Sequence, residues 1–173
     1  MSVMEMSHRS NVFVEIASRA EANLRNLLKI GEDYYVLFLQ GGATAQFSAF
    51  PMNLVSPEDS IDYVSTGSWS QKAIAECSKY CHANVIASSI ETGFDRIPEE
   101  DDWNLNSNSQ FVHICSNETI GGVQFKEFPS LDKILIADMS SELLSRQLSI
   151  NDFGLIYAGA QKNIGPAGLT IVI

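Results

Sequence analysis

The 173 residues of this chain are 45% hydrophobic and 18% charged, which is enough length and apolar content for one domain with a sizeable core and excludes an intrinsically disordered chain. Against 21 Asp and Glu stand only 11 Lys and Arg, a formal charge of -10; a field of that sign repels phosphate backbones and anionic headgroups, so nucleic acid and membrane surfaces are poor partners. The longest continuous apolar run, 34–39, falls far short of the roughly 20 residues that a membrane-spanning helix needs.

From Phe13 the apolar positions Phe13, Ile16, Ala17, Ala20, Leu24, Leu27 and Leu28 follow the three-four spacing of one helical face. Ser10 or Asn11 can cap that helix and Gly31 can close it. The run 34–39 predicts a strand buried on both faces, turned by Gln40-Gly41-Gly42 into a helix that carries Ala45, Phe47, Ala49 and Phe50 and is limited or kinked by Pro51. Short strands are predicted over 61–64 and 84–87, with a turn at 66–68 and a helix over 69–80 between them. The polar stretch 91–110, with Pro98 and the acids at 99–102, reads as a solvated surface loop. Further short apolar segments follow at 111–115, 134–137, 154–157 and 169–173. Strands alternating with helices predict an α/β fold, a mostly parallel sheet with helices on both faces. The strand-like run that stops at Ile173 without a polar tail predicts an exposed strand terminus, or a longer protein of which this is the middle.

Three cysteines, Cys77, Cys81 and Cys115, and a start that lacks the apolar stretch of a signal peptide point to a reducing, cytoplasmic setting. Cys77 and Cys81 share a predicted helix face at a spacing that suits a metal, but no Cys/His cluster completes a site, and buried thiols are the simpler reading.

In open α/β sheets ligands bind beyond the carboxyl ends of the strands, which singles out four places. At Gln40-Gly41-Gly42-Ala43-Thr44, glycines and a helix start can cradle a phosphate or simply turn the chain. Asp138 closes the run 134–137, where a buried carboxylate needs a cation or protonated ring, or else caps the next helix. Lys162 lies in the glycine-rich stretch Ala158-Gly159-Ala160-Gln161-Lys162-Asn163, where poor solvation would free its amine for a Schiff base, unless the side chain snorkels to water. Trp69, in Thr66-Gly67-Ser68-Trp69-Ser70, can stack on a flat cofactor or pack in the core. An acid, a lysine, a phosphate cradle and a stacking ring together form the set that holds pyridoxal phosphate.

At these residues the chain resembles the phosphoserine aminotransferase family, class V pyridoxal-phosphate-dependent enzymes of the type I transferase fold. The stretches that carry the resemblance are Met4-Glu5-Met6-Ser7-His8-Arg9, Phe38-Leu39-Gln40-Gly41-Gly42, Thr66-Gly67-Ser68-Trp69-Ser70, Asn117-Glu118-Thr119, Ala137-Asp138-Met139-Ser140-Ser141 and the segment from Gly154 onward. The resemblance implies pyridoxal 5'-phosphate held as a Schiff base on the catalytic Lys162. Asp138 would pair with its ring nitrogen, Trp69 stack on the ring and Thr119 bond its hydroxyl oxygen. Ala43, Thr44 and Gln161 would hold the phosphate. His8 and Arg9 would meet the substrate's phosphate and carboxylate, and Thr44 stands where some members carry an Arg for that phosphate. The implied reaction transfers the amino group of glutamate to 3-phosphohydroxypyruvate, giving 2-oxoglutarate and O-phosphoserine in serine biosynthesis. His113, inside a strand, is expected to be structural.

Residues 1–173 are expected to form part of the large, cofactor-binding domain, without the small C-terminal domain, from an enzyme that works as a homodimer in the cytoplasm, or in a plastid where a transit peptide has been lost. The short chain alone is expected to bind cofactor poorly. The competing readings are an inactive interaction module that pairs through an open sheet edge, another class V transaminase, or a cysteine desulfurase, whose thiol has no clear counterpart here.

Overall fold

A computed structural model describes residues 2–173. Its first long element is α1 (Asn11–Leu28), capped by Ser10, whose hydroxyl accepts the Phe13 N–H at 3.3 Å. The helix closes at Lys29 in the left-handed region (φ 56°), two residues before the expected Gly31. Arg25, in the last turn, donates to the carbonyls of Gly31 and Tyr34, and the Tyr34 hydroxyl donates to Phe153 O at 2.8 Å. These bonds hold 31–34 as a loop, so the predicted strand over 34–39 shrinks to β1 (Leu37–Leu39).

Next come α2 (Gly42–Leu54), β2 (Ser60–Ser65), α3 (Ser68–Cys77) and β3 (His82–Ser88). α2 runs three residues past Pro51 and ends within one turn of it; the ring removes the backbone N–H bond at 51 and crowds the carbonyl of Phe47. After the polar loop come β4 (Phe111–Cys115), the hairpin strands β5 (Asn117–Glu118) and β6 (Val123–Gln124), then β7 (Ile134–Asp138), β8 (Leu155–Gly159) and β9 (Thr170–Val172). The acids at 99–102 are exposed, and the loop is anchored by Trp103, whose indole N–H donates to Pro98 O. It is tied back by buried Asp62, which accepts from the Asn106 N–H and the Asn84 amide and lies 3.6 Å from Lys133.

The main sheet has the order β1-β9-β8-β7-β4-β2-β3. All neighbours from β8 to β3 are parallel, and only β9 runs against the rest, antiparallel to both β8 and β1. Two expectations are corrected here. The run 169–173 is not an exposed strand but an interior one, with Ile171, Val172 and Ile173 buried. The run 34–39, expected to be buried on both faces, supplies the edge strand, where Leu37 and Leu39 are 45% and 40% exposed.

Alternate residues of the central strands feed two cores. Val112, Ile114, Leu135, Ala137 and Ile156 meet Leu24 and Leu28 of α1 on one face. Ile61, Tyr63, Ile136 and Tyr157 meet Phe47 and Phe50 of α2 and Ala73 and Cys77 of α3 on the other. His113 lies within this second layer, its Nε2 2.7 Å from the Tyr157 hydroxyl, and burial pushes its pKa down to about 3, so the ring is neutral. Cys77 and Cys81 are buried with their sulfurs 3.3 Å apart. Burial first, then its neighbour Cys77, pushes the Cys81 thiol up to about 12, which makes it a poor metal ligand and a poor nucleophile. Among the described residues no three His, Cys, Asp or Glu side chains gather at metal-binding distance, and no helix is long and apolar enough to cross a membrane.

Candidate active site

Because β1, β2, β4, β7 and β8 point the same way, the segments that follow them meet at one end of the sheet. A pocket there is lined by Ala43 and Thr44 from the start of α2, Trp69 from α3, Cys115 at the end of β4, Asn117 and Thr119 beyond it, Asp138 at the end of β7, and Gln161 and Lys162 after β8. Seven of the nine residues singled out by sequence therefore come together. His8 and Arg9 do not line it: both sit in an exposed turn just before α1.

Each wall has a local cause. Gly41 and Gly42 adopt φ of 99° and 67°, a region that side chains rarely tolerate, and they swing the chain from β1 straight into α2. Gly41 offers no side-chain cap, so the first N–H groups of α2, at Ala43 and Thr44, have no intrahelical partner and the positive end of the helix faces the pocket. A Cβ on Gly159 would lie 2.9 Å from the Ala43 nitrogen, so glycine there lets the end of β8 touch the start of α2.

Asp138 is 5% exposed. Its Oδ1 accepts from the Ser140 N–H at 2.9 Å and the Ser140 hydroxyl at 2.6 Å, and the same hydroxyl accepts the Gly159 N–H at 3.0 Å. Among the described residues Oδ2 accepts no hydrogen bond. Burial pushes the carboxyl up to about 6; the Ser140 bonds pull it down and nearby Glu118 adds to the rise. It is a carboxylate short of a positive partner, with one oxygen left to take it.

Across the pocket, the Lys162 ammonium donates to Thr119 Oγ1 at 2.9 Å. Lys162 holds φ at 51°, one of four non-glycine residues in the left-handed region among the described residues, a strain of the kind that collects at functional sites. The apolar enclosure expected around it is absent: Lys162 and its neighbour Gln161 are exposed. Trp69 is half-buried at the pocket wall, with the Lys72 ammonium 4.2 Å from its ring centroid.

Sequence reasoning missed Glu118 as a site residue. It is fully buried, and its two oxygens accept the N–H groups of Trp69 at 3.0 Å and Ser70 at 2.7 Å. The only local signals were its place in Asn117-Glu118-Thr119 and a glycine at 67, where a Cβ would lie 2.6 Å from the Glu118 carboxyl carbon.

Residues 2–173 match the family Aminotransferase class-V. The chain belongs to that family. Among class-V aminotransferase relatives, the phosphoserine aminotransferase of Ectopseudomonas mendocina is 57% identical over 175 residues, which span all of this chain and 48% of that protein. Phosphoserine aminotransferase 2, chloroplastic, of Arabidopsis thaliana is 52% identical over 176 residues, all of this chain and 42% of that protein. The solved phosphoserine aminotransferase of Bacillus circulans subsp. alkalophilus superposes with a TM-score of 0.94 at 46% identity, covering 99% of this chain and 48% of that one. The expected fold, part of the type I transferase sheet with helices on both faces, is the one observed. The chain spans about half the length of the curated relatives it matches.

Proposed function

We propose that this chain supplies the cofactor-binding face of a pyridoxal-phosphate-dependent transaminase that moves an amino group from glutamate to 3-phosphohydroxypyruvate, forming O-phosphoserine and 2-oxoglutarate. The observation that carries the reading is the convergence of Lys162, Thr119 and Asp138 on one pocket opposite the uncapped start of α2. The donor set fits the cofactor: a helix end with free N–H groups suits a phosphate, and a buried carboxylate with an open oxygen suits a protonated ring nitrogen. A half-buried indole suits a flat ring, and an amine within the pocket suits a carbonyl carbon.

Bound there, pyridoxal phosphate would supply the electron sink for the carbanion at the substrate Cα. Lys162 would hold the cofactor covalently, and its amine would serve as the base that takes the Cα proton and the acid that returns it. Thr119 orients that amine, and Asp138 holds the proton on the ring nitrogen. Ala43, Thr44 and Gln161 receive the phosphate, and Trp69 covers the ring. We assign His8 and Arg9 to the substrate's phosphate and carboxylate; both sit on a turn outside the pocket, and their role depends on the bound substrate. In this reading residues 1–173 are part of the large domain of a homodimeric enzyme that works in the cytoplasm, or in a plastid under a transit peptide. The name of the Arabidopsis relative, chloroplastic, supports the plastid alternative.

The test is an absorbance titration of the polypeptide with pyridoxal phosphate, followed by borohydride and peptide mass mapping. Because the short chain is expected to bind cofactor poorly, the titration runs to a large excess, where we expect a visible band and a reduced adduct on the peptide that contains Lys162, both lost in Lys162→Ala. An adduct spread over surface lysines, with no dependence on Lys162, would overturn the cofactor assignment. Loss of the band on adding glutamate, and its return with 3-phosphohydroxypyruvate rather than pyruvate, is the expected signature of the substrate pair.

A further inference from the structure

Two helices, α2 and α3, point their N-termini at the pocket end of the sheet, and they are finished differently. The start of α2 is left open at Gly41. The start of α3 is filled from within the chain: Glu118 reaches from β5, 48 positions away in sequence from Ser70, and places one carboxylate oxygen on each of the first N–H groups, at Trp69 and Ser70. A carboxylate at this end of a helix is held both by the N–H groups and by the helix dipole. Among the described residues its fully buried side chain has no salt-bridge partner, and both of its oxygens are taken up by these two amides. Glu118 is adjacent in sequence to Thr119, which bonds Lys162, and it bonds the backbone of Trp69 itself.

We propose that Glu118 is a positioning residue of the cofactor pocket: its carboxylate clamps the start of α3, so that Trp69 and Thr119 are fixed as two walls of one site. Gly67 belongs to the same device, since any side chain there would collide with the clamp. The clamp also gives α3 an internal anion, which leaves the open start of α2 as the end of the pair that can take a phosphate from outside. The last statement rests on the cofactor reading above; the clamping of Trp69 by Glu118 does not.

The test uses the whole chain with Trp103→Phe, which leaves Trp69 as the single tryptophan. In that background we compare Glu118, Glu118→Gln and Glu118→Ala by acrylamide quenching of the indole and by half-saturation with pyridoxal phosphate. The amide of Gln keeps one acceptor and turns a donor toward the second N–H. We expect quenching to rise at least about twofold and half-saturation to weaken roughly tenfold, the scale of losing one bond to a charged group. Acetate, and not chloride, should restore the shielding of Trp69 in Glu118→Ala, because it refills the space with a carboxylate. Unchanged quenching in a folded Glu118→Gln overturns the proposal. If both variants unfold, hydrogen exchange in the parent decides: protection of the Trp69 and Ser70 amides equal to that inside α3 supports the clamp, and exchange as fast as at Ala43 and Thr44 overturns it. A parent that binds no pyridoxal phosphate defeats the cofactor reading, while the quenching and exchange results still judge Glu118.

Discussion

At Asp138, burial and hydrogen bonding pull in opposite directions, and burial wins: the carboxyl rises from 3.8 to about 6 in spite of two bonds from Ser140. Folding therefore takes up a proton between those values, and stability falls as pH rises through that window. Above it the fold carries the charged carboxylate at a cost of about 3 kcal/mol. Asp138→Asn keeps an oxygen for Ser140 and removes the charge. We expect urea unfolding to show the Asn variant more stable than the parent by up to about 3 kcal/mol at pH 8, with the gap closing by pH 4. An equal gap at both values would show that the burial cost has been misassigned. The same cost reads as function, since a positive ring nitrogen placed at Oδ2 would relieve it, and the variant that gains stability should lose affinity for the cofactor.

Among the elements, the contact between the end of β8 and the start of α2 decides how wide the phosphate end of the pocket is. Gly159→Ala places a methyl 2.9 Å from the Ala43 nitrogen, which backbone must yield to accommodate. We expect a loss of about 1–3 kcal/mol in thermal or urea unfolding, and a larger relative loss in retention of pyridoxal phosphate, because the displaced backbone is the proposed donor. Unchanged retention would show that the N–H groups of α2 are not its anchor. Most elements at this scale were legible as short apolar runs followed by glycine or polar residues, and the positions after those runs did locate Asp138, Lys162, Trp69 and the start of α2. What escaped had no local period. The strands of the hairpin β5 and β6 are two residues each, too short for alternation to show. The link between Glu118 and Trp69 joins distant segments through backbone donors, which no side-chain pattern reveals. The reversed direction of β9 was hidden because an apolar run records burial and not orientation.

For the molecule as a whole, β9 is the strand on which the others depend at one side of the sheet. Together with the residue that follows it, β9 buries Ile171, Val172 and Ile173, and among the described residues it is the only sheet partner of β1. Burial of three such side chains contributes on the order of 5–9 kcal/mol, a large share of the roughly 5–15 kcal/mol by which domains are stable. Deletion of 169–173 is therefore expected to abolish the cooperative urea transition followed by circular dichroism, whereas loss confined to the first turn of the chain, 2–6, whose residues are largely exposed, should leave it intact. A cooperative transition surviving the C-terminal deletion would mean that β1 finds another seat.

That placement also has a consequence in time. On the ribosome Leu37, Phe38 and Leu39 emerge early, yet the strand they pair with, residues 170–172, is made about 130 residues later. At about 5–20 residues per second the wait is on the order of ten seconds, during which this apolar edge has no strand partner. The phosphate end of the pocket is thus completed only after the segments that carry Trp69, Thr119, Asp138 and Lys162 have been made.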